Sequence, residues 1–201
     1  MRFAIFLLVL LTGNSFASEA RFEITPQLGY TFGGTLADVN GADLDLDDAT
    51  SVSLTVNIRV RADATVEVFY SHQDVDTNAP GFAVDPGVEL GIQKLEFGGT
   101  YRFNDGYPKP YVAATVGVTK LDPDAQGLRD DSFFSFSLGG GVRLYETDRF
   151  AVRADARWLA TVLSDDTDLL CESSGGVNCA VAIDADLLSQ FRINLGLSLR
   201  F

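Results

Sequence analysis

Nine charged residues recur at strand spacing among valine, leucine and phenylalanine: Arg59, Glu67, Glu96, Arg102, Arg143, Arg153, Asp155, Arg157 and Arg192. The chemistry they offer is mutual neutralisation, because a charge walled in by apolar groups needs an opposite charge beside it. Through the short ETDR turn, parity brings Arg143 near Arg153 and Asp155, with Arg157 one step further along the same face. Through ADA it brings Arg59 near Glu67, with Glu96 and Arg102 coming from the adjoining strand. Each acid is expected to be ionised and held by at least one arginine.

Three other groupings have chemical content. In YSHQ, Ser71 stands beside His72, a nucleophile next to a base, but adjacent strand residues point to opposite faces and His72 is the chain's one histidine. No catalytic residue is expected, and His72 reads as a rim residue. In ADLDLDD, alternation puts Asp43, Asp45 and Asp47 on one face, a set of hard oxygens suited to Ca²⁺. The run lacks the Gly and the distal Glu of a calcium loop, so a solvated acidic segment is expected there, with no metal or cofactor site. Cys171 and Cys179, in CESSGGVNC, read as a local disulfide, since two thiols and a distant histidine are too few for a structural metal.

The elements that must position these groups are regular. Residues 1–17 read as a cleaved signal peptide: Arg2, an apolar run from Phe3 to Leu11, then Ser15 and Ala17 before the cleavage point. The run is about half the 20 residues a spanning helix needs. The remainder, 18–201, reads as one domain. Fifteen basic residues against 28 acidic ones give a net charge of −13, and losing Arg2 makes the balance more negative, which argues against a nucleic-acid partner.

From FEITPQLGYTF onward, eight segments alternate with period two, each of the nine to eleven residues that cross a bilayer at a tilt. Short turns follow the second, fourth and sixth, and long loops the others. An antiparallel up-and-down β-barrel follows. A soluble barrel alternates too, with its apolar face inward. The charged face decides between them, because opposite charges from neighbouring strands suit a narrow polar interior, and the aromatics Tyr30, Phe32, Tyr101, Phe103, Phe134, Phe150 and Trp158 fall near strand ends, as interfacial girdles do. The last segment, FRINLGLSLRF, would pair with the first and leave no edge.

That terminal strand, with LEFGGTYRF, KPYVAATVGV and FSLGGGVRLY, resembles the small eight-stranded outer-membrane barrels that include the OmpA transmembrane domain, OmpX and OmpW, and is most similar to the proteobacterial outer-membrane β-barrel proteins. The resemblance covers all of 18–201. It implies export through the periplasm to the outer membrane of a Gram-negative bacterium, contact with outer-membrane lipids and lipopolysaccharide, and delivery by the assembly machinery that reads a C-terminal signal, here Leu197, Leu199 and Phe201. A monomer is expected. No periplasmic wall-binding domain follows the barrel, so wall anchoring is not implied.

Eighteen of the 28 acids fall in the four long loops, whose rim is expected to share divalent ions with lipopolysaccharide phosphates. A non-enzymatic structural or surface-interaction role is the leading expectation. A narrow channel for small solutes or ions is its rival, and lipid A modification a remote one. The disulfide closes only nine residues, worth on the order of 2–3 kcal/mol in the chain-entropy picture, far from the strands. Cys171→Ser should therefore leave assembly and heat-modifiable gel mobility intact while opening the fourth long loop to protease; an unfolded variant would contradict this.

Overall fold

The computed structural model describes residues 22–37, 43–78, 89–103, 106–123, 131–163 and 187–201. The signal-peptide boundary and the Cys171–Cys179 pair lie outside them. Among the described residues there are ten strands: β1 (Phe22–Phe32), β2 (Thr35–Ala37), β3 (Asp43–Leu46), β4 (Ala49–Arg59), β5 (Ala64–Asn78), β6 (Glu89–Arg102), β7 (Lys109–Pro123), β8 (Asp131–Glu146), β9 (Phe150–Val162) and β10 (Leu187–Arg200). Eight of them form a closed antiparallel barrel in which each strand pairs with its sequence neighbour and β10 returns to β1. At the seam Phe201 N donates to Phe22 O at 2.9 Å and Phe22 N to Phe201 O at 3.3 Å.

The two remaining strands extend the β1–β4 hairpin beyond the barrel, where the sequence reading has only loop. Alternation continues through DLDL, Leu46 N donates to Gly34 O at 2.9 Å, and Leu46 is buried, so the ladder carries on past a kink at Gly33–Gly34 and Asp47–Asp48. Asp48 clamps that kink: its carboxylate accepts from Gly33 N at 2.7 Å and from the Tyr30 hydroxyl at 3.1 Å.

Alternation sorts the side chains as expected over the middle of the barrel. Leu28, Leu54, Phe97, Val116, Leu138 and Leu195 face outward, and Thr25, Ser53, Glu67, Thr115, Ser137 and Arg192 are buried inside. Two aromatic belts ring the outer face. One contains Tyr30, Phe32, Phe136 and Trp158 near the long loops, and the other Tyr101, Phe103, Tyr145 and Phe150 near the short turns.

The expected polar interior holds over the middle of the barrel but not at its long-loop end. Toward the long loops the inward positions become Val75, Leu90, Ile92, Leu121, Phe133 and Leu188, joined by Leu46, Ala49 and Leu163 in one buried apolar cluster. Outward neighbours there become polar, as with Asp74, Gln93, Lys120 and Asp122. The two faces exchange character because the strands, up to 16 residues long, outrun the hydrocarbon and enter water.

Close strand approach depends on two inward glycines. A Cβ on Gly98 would meet Ala114 O and Thr115 Cα, and one on Gly117 would meet Leu95 O and Glu96 Cα, all backbone atoms that cannot step aside. At Gly106, in a turn, a Cβ would meet nothing within 4 Å. Gly117→Ala should cost about 1–3 kcal/mol in urea unfolding of the refolded barrel, and Gly106→Ala should cost nothing measurable.

Candidate functional site: the lumen

The centre of the lumen is held by four fully buried charges. Arg153 Nη2 lies 3.1 Å from Glu67 Oε2 and its Nε 3.1 Å from Asp155 Oδ2, while Arg157 Nη2 lies 2.6 Å from Glu67 Oε1 and its Nε 3.4 Å from Asp155 Oδ1. Two cations and two anions thus alternate in a square. Burial of such ions would cost several kcal/mol each without further partners, and the remaining lone pairs are met from strands all round the barrel. Asp155 accepts from Gln27 Nε2 at 2.8 Å, Asn194 Nδ2 at 2.9 Å and the Tyr111 hydroxyl at 3.0 Å. Glu67 accepts from Asn57 Nδ2 at 3.0 Å, and Arg153 donates to Asn57 Oδ1 at 3.1 Å and to the Tyr111 oxygen at 2.5 Å.

Both guanidiniums also stack. Arg153 lies 4.6 Å from the Tyr111 ring centre and Arg157 4.3 Å from that of Phe69. These contacts let a cation meet an apolar wall without losing electrostatic stabilisation.

A second layer lies between the square and the apolar cluster, with a different balance. Lys94 Nζ donates to Thr119 Oγ1 at 2.9 Å and Thr161 Oγ1 at 2.6 Å. Arg192 donates to Thr31 Oγ1 at 2.7 Å and Gln73 Oε1 at 2.6 Å. Glu96 Oε2 accepts from the hydroxyls of Thr115 at 2.6 Å and Ser137 at 2.7 Å. Here hydroxyls and an amide do what carboxylates do in the square.

The residues anticipated from sequence divide accordingly. Glu67, Arg153, Asp155 and Arg157 come together. Arg192 is inside, but no carboxylate of the described residues lies within ion-pair distance. Two expected pairings are corrected. Glu67 stands opposite Asn57 in the register and takes its arginines from β9, whereas Arg59 stands opposite Thr65, nearer the turn. Glu96 is held by hydroxyls and not by an arginine. Arg143 stands opposite Arg153 in the register, as parity predicts, and its ion pair reaches Glu23 at 2.7 Å; Arg102 Nη2 donates to the Ala62 carbonyl, so both belong to the turn-end rim.

Strand parity assigns a face but not a height, and tilt with stagger sets residues of different strands side by side. Lys94, Tyr111, Gln27, Asn57 and Asn194 were missed although each carries the inward parity. Ser71 is buried inside and His72 lies on the outer face, 3.4 Å from Asp74. Asp47 is exposed, and among the described residues no three His, Cys, Asp or Glu side chains are grouped to hold a metal ion.

A closed barrel with an apolar belt and an ion-paired lumen is how a chain crosses lipid with strands. The family model described as "Outer membrane protein beta-barrel domain" matches residues 3–201. The chain belongs to that family. This outer-membrane barrel shares its fold with Neisserial surface protein A, with a TM-score of 0.60 at 15% identity over 90% of this chain and 97% of that one. It is likewise similar to OprG from Pseudomonas aeruginosa (TM-score 0.54, 14% identity, 90% and 96% covered) and to AlkL, solved in lipid bilayers (0.53, 15%, 94% and 93%). No curated protein matches it in sequence. The likenesses carry the fold, and the family match places the barrel in the outer membrane of Gram-negative bacteria.

Removing Glu67 would leave two buried guanidiniums with Asp155 as their one carboxylate, whereas removing Glu96 would leave two hydroxyls that can still bond to each other, their oxygens being 2.5 Å apart. Glu67→Ala should cost about 3–5 kcal/mol in urea titrations and Glu96→Ala about 1–3 kcal/mol. Asp74→Ala, on the exposed rim, should fall within about 0.5 kcal/mol of the parent. Equal, negligible losses at all three would mean a wet lumen.

Proposed function

We propose that this outer-membrane barrel is a non-enzymatic structural and surface-interaction protein with a closed lumen, acting through its acidic outer rim. The observation that carries this reading is the pair of independent closures along one axis. The arginine–carboxylate square fills the middle, and the apolar cluster around Leu121, Phe133 and Leu188 fills the end nearest the long loops. An eight-stranded barrel is just wide enough for side chains to fill, and here large ones fill it twice.

Acidic loops above an anionic lipid surface favour shared divalent cations, so lipopolysaccharide is the partner this chemistry suits. Delivery would rest on the outward Leu197 and terminal Phe201, both exposed, with Leu199 between them. The protein would act as a monomer. Catalysis is disfavoured by the separation of Ser71 and His72 onto opposite faces.

The rival reading is a narrow channel. Refolded protein in planar bilayers should show no stable unitary currents. Reproducible unitary steps from the unaltered chain would overturn the closed reading and put the channel first.

A further inference from the structure

The layer between the square and the apolar cluster balances neither its charges nor its hydrogen bonds among the described residues. All eight barrel strands are described at this height, and the cluster caps it on the long-loop side. Two positions beyond Gln73, Lys94, Ser135 and Gln190 the inward residues are already Val75, Ile92, Phe133 and Leu188. Inside, Lys94 and Arg192 face one carboxylate, Glu96, whereas the square is neutral. One positive charge is left over. Arg157 and Arg192 stand opposite each other in the register, and each has a buried Nη1 that no described group accepts from. Gln73 Nε2 is a third such donor, on the amide whose oxygen accepts from Arg192 Nη2 at 2.6 Å. The hydroxyls of Ser71 and Ser135 are buried without a partner too.

We infer that this layer binds one chloride ion, held by the unused N–H groups of Arg157, Arg192 and Gln73. Water could accept from the same donors, but it brings no charge, and an uncompensated cation in a poorly hydrated bore costs several kcal/mol. A monatomic anion answers both needs. Polyatomic oxyanions suit the layer less, because they bring several acceptor atoms to a small set of donors between the square and an apolar cap. Glu96 is placed so as not to oppose the ion at Gln73: in the β5–β6 register Gln73 stands opposite Ile92, and Glu96 four residues along, opposite Phe69. Its Oε2 is turned to Thr115 and Ser137. Room comes from small inward residues, since Gly117 stands opposite both Glu96 and Ser135 and brings no side chain to the lumen.

The test follows urea unfolding of the full mature chain, refolded in non-ionic detergent, at constant ionic strength while chloride replaces the larger methanesulfonate. Chloride is expected to raise the folding equilibrium constant, by about tenfold for each tenfold increase above its dissociation constant, with bromide acting alike. Lys94→Met removes the excess charge and leaves Thr119 and Thr161, whose hydroxyl oxygens are 3.1 Å apart, to bond each other. Its stability should not respond to chloride, whereas Arg149→Gln, on the exposed β8–β9 turn, should respond as the parent does. Should Lys94→Met fail to refold, crystals of the unaltered chain grown in bromide decide, with an anomalous peak expected against Arg192 Nη1. Equal responses to chloride and methanesulfonate, a chloride response retained in Lys94→Met, or bromide maps without that peak would overturn the site and leave a layer filled by water. None of these measurements reads conductance, so this proposal and the closed lumen stand or fall separately.

Discussion

In hydrocarbon an unpaired backbone amide or carbonyl costs several kcal/mol, and a strand cannot satisfy its own. Closure of the ladder from β10 back to β1 follows from that cost, and nearly everything else follows from closure. Eight strands fix a narrow bore, and inward side chains must share it with no solvent to screen them. The seam bonds between Phe22 and Phe201 are thus the first condition of the charge network, because an open edge would admit lipid and leave Arg153 and Arg157 in hydrocarbon.

Given that bore, the square of Arg153, Arg157, Glu67 and Asp155 is a packing solution as much as an electrostatic one. Two long guanidinium side chains need space, and Gly139 and Gly141 on β8 supply it. A Cβ at Gly139 would come within 2.8 Å of Arg157 Cγ, and one at Gly141 within 2.6 Å of Asp155 Cβ. The GGG run opposite RADAR is therefore the mould into which the arginines fit. Because the square and its partners come from β1, β4, β5, β7, β9 and β10, none of these strands can shift alone without breaking an ionic hydrogen bond.

Much of this was legible in the sequence. Period-two alternation with one charged face identified eight strands, their order and the inward residues, since parity is a local property. Partnership across the lumen was not legible. Whether Glu67 meets Arg59 or Arg157 depends on stagger, which no single strand encodes. Hydroxyl ligation of Glu96 was hidden for the same reason, as Thr115 and Ser137 look like ordinary small lumen residues. The apolar cluster was overlooked because Leu90 and Ile92 lie in phase with Lys94 and Glu96. Read alone they are two more alternating residues, and only the polar Gln93 and Asp74 on the opposite face show that the surrounding solvent has changed.

That exchange of faces makes the same strands serve two solvents in succession. Below the level of Gln93 and His72 they form a membrane barrel, apolar outside and ionic within. Above it they form the rim of a water-soluble one, polar outside and apolar within. The protein therefore carries its own depth gauge. A displacement of a few residues outward would lift leucines such as Leu95 into water, and the same displacement inward would drag Asp74 and Lys120 into hydrocarbon. The bilayer's position along the barrel is written into the side chains, and a membrane of different thickness would have to adapt to the barrel and not the reverse.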